Sequence, residues 1–370
     1  MDICFRLEVP PYHRTNQIIE RDKIATYSNV NTILNTQLIV WKNKLNNVKN
    51  WDVAKRISNT YEFIFSSGYN KINLVKKKPL SRSHFKLWEV LHDFNIIQEH
   101  QTIKTAHIAD GPGGFIECIC EYLKKYNIPH SSIDGITLRS KDKKIPNWKV
   151  SKENLKNFNI GLHNGCIYDY NIINEFVQNV GGQSVDFITA DGGFDFSSDF
   201  NSQETQSYRL MFCEIYIALK LQKINGNFLL KVFDFFSSET IALLALCASF
   251  YDKVYIIKPN TSRPANSEKY LLFNKFVEDV AIEQTNNINH MYNEIKKESF
   301  HLETKTIYNY ENFYKNLTIY NVLYTTTQIN YIKDTLELSK MLNDKVKNNM
   351  IEHNLKLCRQ WCKEYNIDLT

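Results

Sequence analysis

The chain reads as an α/β protein built on a mostly parallel sheet with helices on both faces. Two observations predict this. From about Thr105, short apolar runs bounded by Gly, Pro, Asp or Asn alternate with longer segments of helical period, the pattern of strands joined by crossing helices. Length is the second: 370 residues bury a sizeable core, and no apolar run reaches the ~18–20 residues of a membrane span.

Taken in order, residues 22–71 are helical in character but polar, and the stretch KKKPL leads into a helix starting near Ser81. Strands are expected at Ala106–Ala109, Ser132–Leu138, Phe158–Leu162, Val185–Ala190, Asn227–Phe233, Lys253–Lys258 and Lys269–Phe273. Helices are expected at Phe115–Tyr126, Glu204–Gln222 and Ser238–Phe250, each with apolar residues three and four apart. The last two strands, separated by the irregular PNTSRPANSE, suit an antiparallel edge. Beyond Val277 glycine is absent, Asn, Lys, Glu and Tyr dominate, and long helices are expected over Ile329–Tyr365. The economical division is a helical flank over 1–75, a core over 76–277 and a helical extension over 278–370.

Composition narrows the class. The N-terminus MDICFRLEVPPYHRT lacks a basic region followed by an apolar one, so an intracellular protein with no membrane attachment is expected. The 8 cysteines lack the CxxC pairs of a zinc site and read as free thiols, which suits a reducing compartment. Net charge is +5, and its placement matters more than its size: Lys76, Lys77, Lys78, Arg82 and Lys86 form one basic segment, and Arg139, Lys141, Lys143, Lys144, Lys149, Lys152 and Lys156 a second. Such runs are either solvated faces or polyanion contacts.

The stretch HIADGPGGF, residues 107–115, follows the first convincing strand and opens a helix. Its glycines therefore lie at the carboxyl edge of the sheet, where open α/β folds bind ligands. A dinucleotide fingerprint asks for glycine at position 116, where Ile116 stands, and a P-loop asks for GK[ST], which is missing. Two readings remain: a turn that serves the chain alone, and a ligand that needs close backbone contact without a pyrophosphate, of which S-adenosylmethionine is the common one. In the second reading Asp110, Gly111, Pro112, Gly113, Gly114 and Phe115 form the cofactor turn, with Asp110 accepting from the amino group and Asp134 a candidate for the ribose hydroxyls. Downstream, DFITADGGFDF ends a strand at Asp191, FLLKVFDFF places Lys231 in an otherwise apolar strand, and SRPANSEKYLL puts Glu268 before the last strand. An ammonium buried without a partner is expensive, so Lys231 needs a charged companion.

These segments together resemble the FtsJ-like family of RNA 2′-O-ribose methyltransferases, over about Pro79–Phe276. SRSHFKLWEVL resembles the family's opening helix and assigns a first lysine to Lys86, while TADGGFD, LLKVFDFF and KPNTSRPANSEKYL supply Asp191, Lys231 and Glu268 in the family's order. The pattern is similar to the adrift-type cap methyltransferases of eukaryotes and large DNA viruses. The resemblance implies a Rossmann-like S-adenosylmethionine-dependent methyltransferase fold and a Lys86, Asp191, Lys231, Glu268 catalytic tetrad. It further implies RNA as substrate, with capped mRNA and the proteins of the capping machinery as partners, in a virus-infected cytoplasm, a virion or a nucleus. Where the family shows an acidic turn after the third strand, HNGCIYD offers Cys166 and Asp169 for the adenine. Lys76, Lys77, Lys78, Arg82, Arg139 and Arg263 become candidate RNA contacts, and Trp88 or Trp148 a candidate slot for methylguanine. Lys231 is expected to act as base or oxyanion partner, its pKa lowered by burial and by Lys86. Ribosomal or transfer RNA is the alternative substrate, and an inactive RNA-binding scaffold the alternative class.

Overall fold

The computed structural model describes residues 4–7, 21–45, 48–66, 72–97, 101–142, 145–150, 164–194, 196, 199–277, 282–302 and 310–370, with side chains from residue 26 onward except 282–285. The described strands are β1 (Cys4–Leu7), β2 (Ile103–Ile108), β3 (His130–Ile136), β4 (Val185–Ala190), β5 (Gln222–Val232), β6 (Tyr251–Ile257) and β7 (Lys269–Phe276). The helices are α1 (Arg21–Asn43), α2 (Trp51–Ile57), α3 (Ser83–Phe94), α4 (Gly114–Lys125), α5 (Tyr170–Val180), α6 (Gln203–Leu221), α7 (Ser238–Ala248), α8 (Ile282–Lys297), α9 (Tyr310–Met341) and α10 (Asp344–Glu364), with a 3-10 turn at Glu62–Ile64. The expected strand at Phe158–Leu162 lies outside the described residues.

One seven-stranded sheet runs in the order β1-β6-β7-β5-β4-β2-β3. Strands β3, β2, β4 and β5 are parallel, while β7 is antiparallel to both β5 and β6. The expected antiparallel strand is therefore interior and not an edge. The helical crossover through α7 carries the chain two strand positions from β5 to β6, and β7 returns into the gap between them. The edge itself is β1, paired antiparallel with β6. This register places Val232, the last residue of β5, opposite Lys269, the first of β7, so the residue before β7 shares the carboxyl edge of the parallel strands.

Alternate strand residues divide the core. Ile188, Ala190, Phe228, Leu230 and Leu271 pack with α5, α6, α7 and α9 on one face, while Phe187, Leu229, Tyr270 and Leu272 pack with α3, α4 and α10 on the other. Burying each large apolar side chain is worth roughly 1.5–3 kcal/mol. Helix α7, IALLALCA along its middle, is apolar all round because α9 covers the side turned away from the sheet. The region expected as helix from Ile329 begins much earlier, at Tyr310, and breaks at residues 342–343, where the Asn343 side chain accepts from the Val346 N–H and starts α10. Both flanks thus pack into the same clusters as the core: α10 contributes Ile351, Cys358, Trp361 and Cys362, and α1 pairs with α9. Among the described residues no helix is long and apolar enough to cross a membrane.

Candidate active site

Three sheet strands and one helix bring four ionisable side chains to one place. Lys86 stands on the first turns of α3, Asp191 follows the last residue of β4, Lys231 is the penultimate residue of β5, and Glu268 precedes β7. The Lys86 Nζ lies 2.6 Å from Glu268 Oε1. Lys231 Nζ lies 3.2 Å from Asp191 Oδ1 and donates to the Asp191 carbonyl at 2.6 Å. All four side chains are 11–14% exposed, enough to be reached from the edge of the sheet and too little for solvent to screen them.

Further groups, not singled out from the sequence, complete the network. The Tyr270 hydroxyl donates to Asp191 Oδ1 at 3.0 Å, Ser262 Oγ donates to Glu268 Oε1 at 2.8 Å, and Lys258 Nζ donates to the Glu268 carbonyl at 2.6 Å. Glu214 of α6 is buried behind them and accepts from the Gly192 N–H at 3.2 Å. Glu214 was legible in principle, since Leu210, Met211, Glu214 and Leu221 share the apolar face of one helix and an acid on such a face calls for a reason.

Burial alone would raise the Glu268 pKa, but Lys86, Lys231 and Lys258 outweigh it and hold the carboxyl at about 2. For Lys231 burial favours the neutral amine, yet Asp191, Glu268 and Glu214 prevail and raise its pKa above the ordinary lysine value. The expected lowering is therefore reversed: Asp191 in direct contact and Glu268 close by outweigh burial, and the resting state of Lys231 is an ammonium. Burial raises Glu214 to about 8.

The glycine turn answers first to the chain itself. Gly113 has φ 109°, a conformation that favours glycine. A Cβ on Gly111 would overlap the Pro146 carbonyl, on Gly113 the Val150 side chain, and on Gly114 the Ser81 and Ser83 hydroxyls. The absence of side chains lets residues 145–150 cross over the turn and lets the start of α3, with Lys86, dock on the start of α4. Asp110 is 1% exposed and accepts from the Phe115 and Ile116 N–H groups at 3.2 and 2.8 Å. Its carboxylate caps α4, and burial with Asp191 close by raises its pKa to about 8. Pro112 and Phe115 belong to the same turn, Phe115 fully buried and the Pro112 carbonyl accepting from the Lys149 N–H at 3.0 Å.

Other expected positions are distributed as follows. Asp134 is buried two residues inside β3, accepting from Ser132 Oγ at 2.7 Å, because its place in the strand precedes the carboxyl edge. Asp169 is exposed at the start of α5 and accepts from the Asn171 N–H at 2.8 Å, with Cys166 half-buried beside it. Arg82 does not face solvent: its guanidinium donates to the carbonyls of Glu62, Phe65, Tyr61 and Thr261. Arg263 forms a two-bond pair with the Glu62 carboxylate at 3.0 and 2.8 Å. Both arginines thereby bind the Glu62–Ile64 turn to the loop that carries Glu268. Lys76, Lys77, Lys78 and Arg139 are exposed, with Lys77 paired to Glu121. Trp88 is core, 3% exposed and donating to the Tyr365 carbonyl at 2.9 Å, and Trp148 donates to the Asp110 carbonyl at 2.9 Å.

The C-terminal extension reaches the same site. Tyr324 and Gln328, one turn apart on α9, donate to the Asn266 and Ala265 carbonyls at 3.1 Å, and Gln328 also donates to Ser267 Oγ at 3.2 Å. Helix α9 therefore holds the three residues immediately before Glu268.

Comparison with known proteins gives this arrangement a family. The model of the FtsJ-like methyltransferase family matches residues 79–276. The chain is 38% identical over 167 residues to the cap-specific mRNA (nucleoside-2′-O-)-methyltransferase 1 of Drosophila melanogaster, covering 44% of this chain and 21% of that protein. It is 32% identical over 210 residues to the cap-specific mRNA (nucleoside-2′-O-)-methyltransferase of Autographa californica nuclear polyhedrosis virus, covering 55% of this chain and 76% of that protein. An inactive cap-specific mRNA (nucleoside-2′-O-)-methyltransferase 1B of Caenorhabditis briggsae is 32% identical over 184 residues, 48% of this chain and 21% of that protein. The aligned part thus spans about a fifth of the animal relatives and three quarters of the viral one. By its matched core and the order of its motifs on the sheet, the chain belongs to the FtsJ-like methyltransferase family.

Proposed function

We propose that the protein is an S-adenosylmethionine-dependent RNA 2′-O-ribose methyltransferase acting on the cap-proximal nucleotide of mRNA. The observation that carries this reading is the meeting of Lys86, Asp191, Lys231 and Glu268 in one half-dry network at the carboxyl edge. An inactive relative shares the family's sequence, so the fold by itself says little about turnover and the four charges say more.

The residues at this edge suit the cofactor. A cation bearing an amino group and ribose hydroxyls calls for carboxylates, and Asp191 and the exposed Asp169 offer them, beside the half-buried Ala109, Gly111 and Pro112 of the turn. When bound, the cofactor supplies a methyl group on a sulfonium, an electrophile that needs no metal and no covalent enzyme intermediate. The chain's own part is to position and to handle charge. Lys86 and Lys231 hold the ribose hydroxyl in line, and Glu268 and Asp191 fix the two ammonium groups. Because Lys231 rests as an ammonium, its part is to stabilise oxygen as the O–H bond weakens, ahead of any role as base. The hydroxyl proton then passes to solvent or to the small neutral fraction of Lys231.

The test is transfer of labelled methyl to a short RNA, capped or with a 5′ triphosphate, with nuclease mapping of the product and Lys231→Ala as control. Label on the 2′-oxygen of a cap-proximal nucleotide, only in capped RNA and lost in Lys231→Ala, is the expected result. Label in uncapped RNA alone would move the substrate to ribosomal or transfer RNA, and a protein that binds no cofactor would be a scaffold.

A further inference from the structure

The two flanking regions meet in a groove with its own chemistry. Between the end of α1 and the last turns of α9 lies a cavity of about 830 Å³, lined by Trp41, Lys44, Lys49, Lys333, Glu337 and Lys340 among others. Four ammonium groups here face one carboxylate, and that carboxylate is already paired, Lys340 Nζ to Glu337 Oε1 at 2.7 Å. Among the described residues Lys44, Lys49 and Lys333 pair with no carboxylate. Lys44 Nζ and Lys333 Nζ instead sit over the Trp41 ring, 3.5 and 4.8 Å from its centroid.

From this geometry we infer that the groove is a second binding site for the substrate, taking single-stranded RNA with a base on Trp41 and its phosphates on the surrounding lysines. The inference rests on the proposed RNA methyltransferase reading. A half-buried tryptophan lining a groove with ammonium groups free of carboxylates at its rim is the combination that binds single strands without regard to sequence. The lysines hold the ring only through flexible stems, Lys44 at an exposed position and Lys333 at a half-buried one, and a cation above a ring near the surface is weakly held. Base stacking on an aromatic side chain is worth roughly 5- to 150-fold in affinity, so a base displaces a lysine readily, and the freed ammonium turns to the phosphate.

The helix that carries Trp41 is tied to the acceptor edge by nearly dry ion pairs. Lys42, beside Trp41, donates to the Phe200 carbonyl at 3.4 Å and pairs with Asp234 at 3.3 Å, and Asp234 pairs with Lys269 at 3.0 Å, the neighbour of Glu268. Asn43 at the end of α1 accepts from Asn201 at 2.8 Å, in the segment that follows the Asp191 turn.

Binding of a fluorescent, uncapped 20-nucleotide RNA, followed by anisotropy over a range of salt, tests this in Trp41→Ala, Trp41→Phe and Lys333→Glu/Lys340→Glu proteins. Expected are a roughly tenfold weaker affinity in Trp41→Ala, near-parental affinity in Trp41→Phe, and a shallower salt slope in the double lysine variant. Methyl transfer to a minimal capped RNA too short to reach the groove stays at the parental rate in all three. Thermal melts identify a variant that has lost its fold, in which case Trp41→Phe against the lysine pair decides. Parental RNA affinity and salt slope in the lysine pair, or equal competition by polyglutamate, overturns the proposal. A protein that transfers no methyl yet binds RNA through Trp41 would overturn the enzymatic reading and leave the groove standing.

Discussion

The Lys86 ammonium lies 2.6 Å from Glu268 Oε1 and joins α3 to the start of β7. Both side chains are nearly dry, at 14% and 13% exposure, so removing one partner strands the other. Glu268→Gln is therefore expected to lower stability by roughly 3 kcal/mol or more and methyl transfer by ~100-fold or more. In Lys86→Met/Glu268→Gln both charges go together, and much of the stability should return while activity does not. Melting temperatures and single-turnover rates separate the two effects. A Glu268→Gln protein of parental rate would take Glu268 out of the site.

Tyr324 and Gln328 of α9 hold Ala265, Asn266 and Ser267 from behind. Each hydrogen bond is worth about 1 kcal/mol, too little to decide folding and enough to loosen the loop. Gln328→Ala is expected to lower the single-turnover rate several-fold while cofactor affinity, proposed to rest on Asp191, Asp169 and the glycine turn, is unchanged. Gln328→Glu, which keeps the shape but places a carboxylate against a carbonyl, should do no better. A fall in cofactor affinity without a fall in rate would mean that α9 acts elsewhere.

Much of this site was legible because its residues break local rules. Lys231 interrupts an apolar strand, and the glycines of residues 111–114 interrupt a strand-to-helix junction; each anomaly marks a real feature of the edge. The partners that decide their behaviour were harder to read. Whether Lys231 is lowered or raised depends on how many carboxylates face it, and Glu214 and Tyr270 arrive from other elements. Arg82, in a basic segment, and Arg263, in the loop before Glu268, look like phosphate ligands, yet both are engaged by the Glu62–Ile64 turn, because Glu62 and a run of free carbonyls lie where only tertiary packing can put them. The position of β7 between β5 and β6 was likewise beyond periodicity, which gives a strand's existence and not its neighbours.

Gly113, with φ 109° and Val150 packed where a Cβ would stand, tolerates no side chain. Gly113→Ala adds a strained backbone, of order 1–3 kcal/mol, to an overlap that only a shift of residues 145–150 relieves. The expected result is a less stable protein with weakened cofactor binding, measured by thermal melt and by titration calorimetry. Gly181→Ala makes the control, since Gly181 also has positive φ, at 90°, but meets no close neighbour and lies at the far end of α5. It should lose stability and keep cofactor affinity. Equal loss of cofactor affinity in both would show that backbone strain alone, and not the turn, is being read.

Glu214 makes stability depend on pH in a direction opposite to ordinary surface acids. Burial raises its pKa to about 8, against roughly 4.3 in an unfolded chain. Between those values the folded protein holds a proton that the unfolded chain has released, so stability falls as pH rises, by up to ~1.4 kcal/mol per unit. Asp110, raised to about 8 by burial and Asp191, adds to this slope, while His84 and His107, held neutral by burial down to about 3, work against it below pH ~6.5. Glu214→Gln keeps the oxygen that accepts from Gly192 and has no proton to lose. Its melting temperature relative to the parent is therefore expected to climb from pH 5 to pH 8.5, with the other groups cancelling in the comparison. A constant gap over that range would mean that Glu214 is already ionised at pH 5, stabilised by Lys231 more strongly than its burial disfavours it.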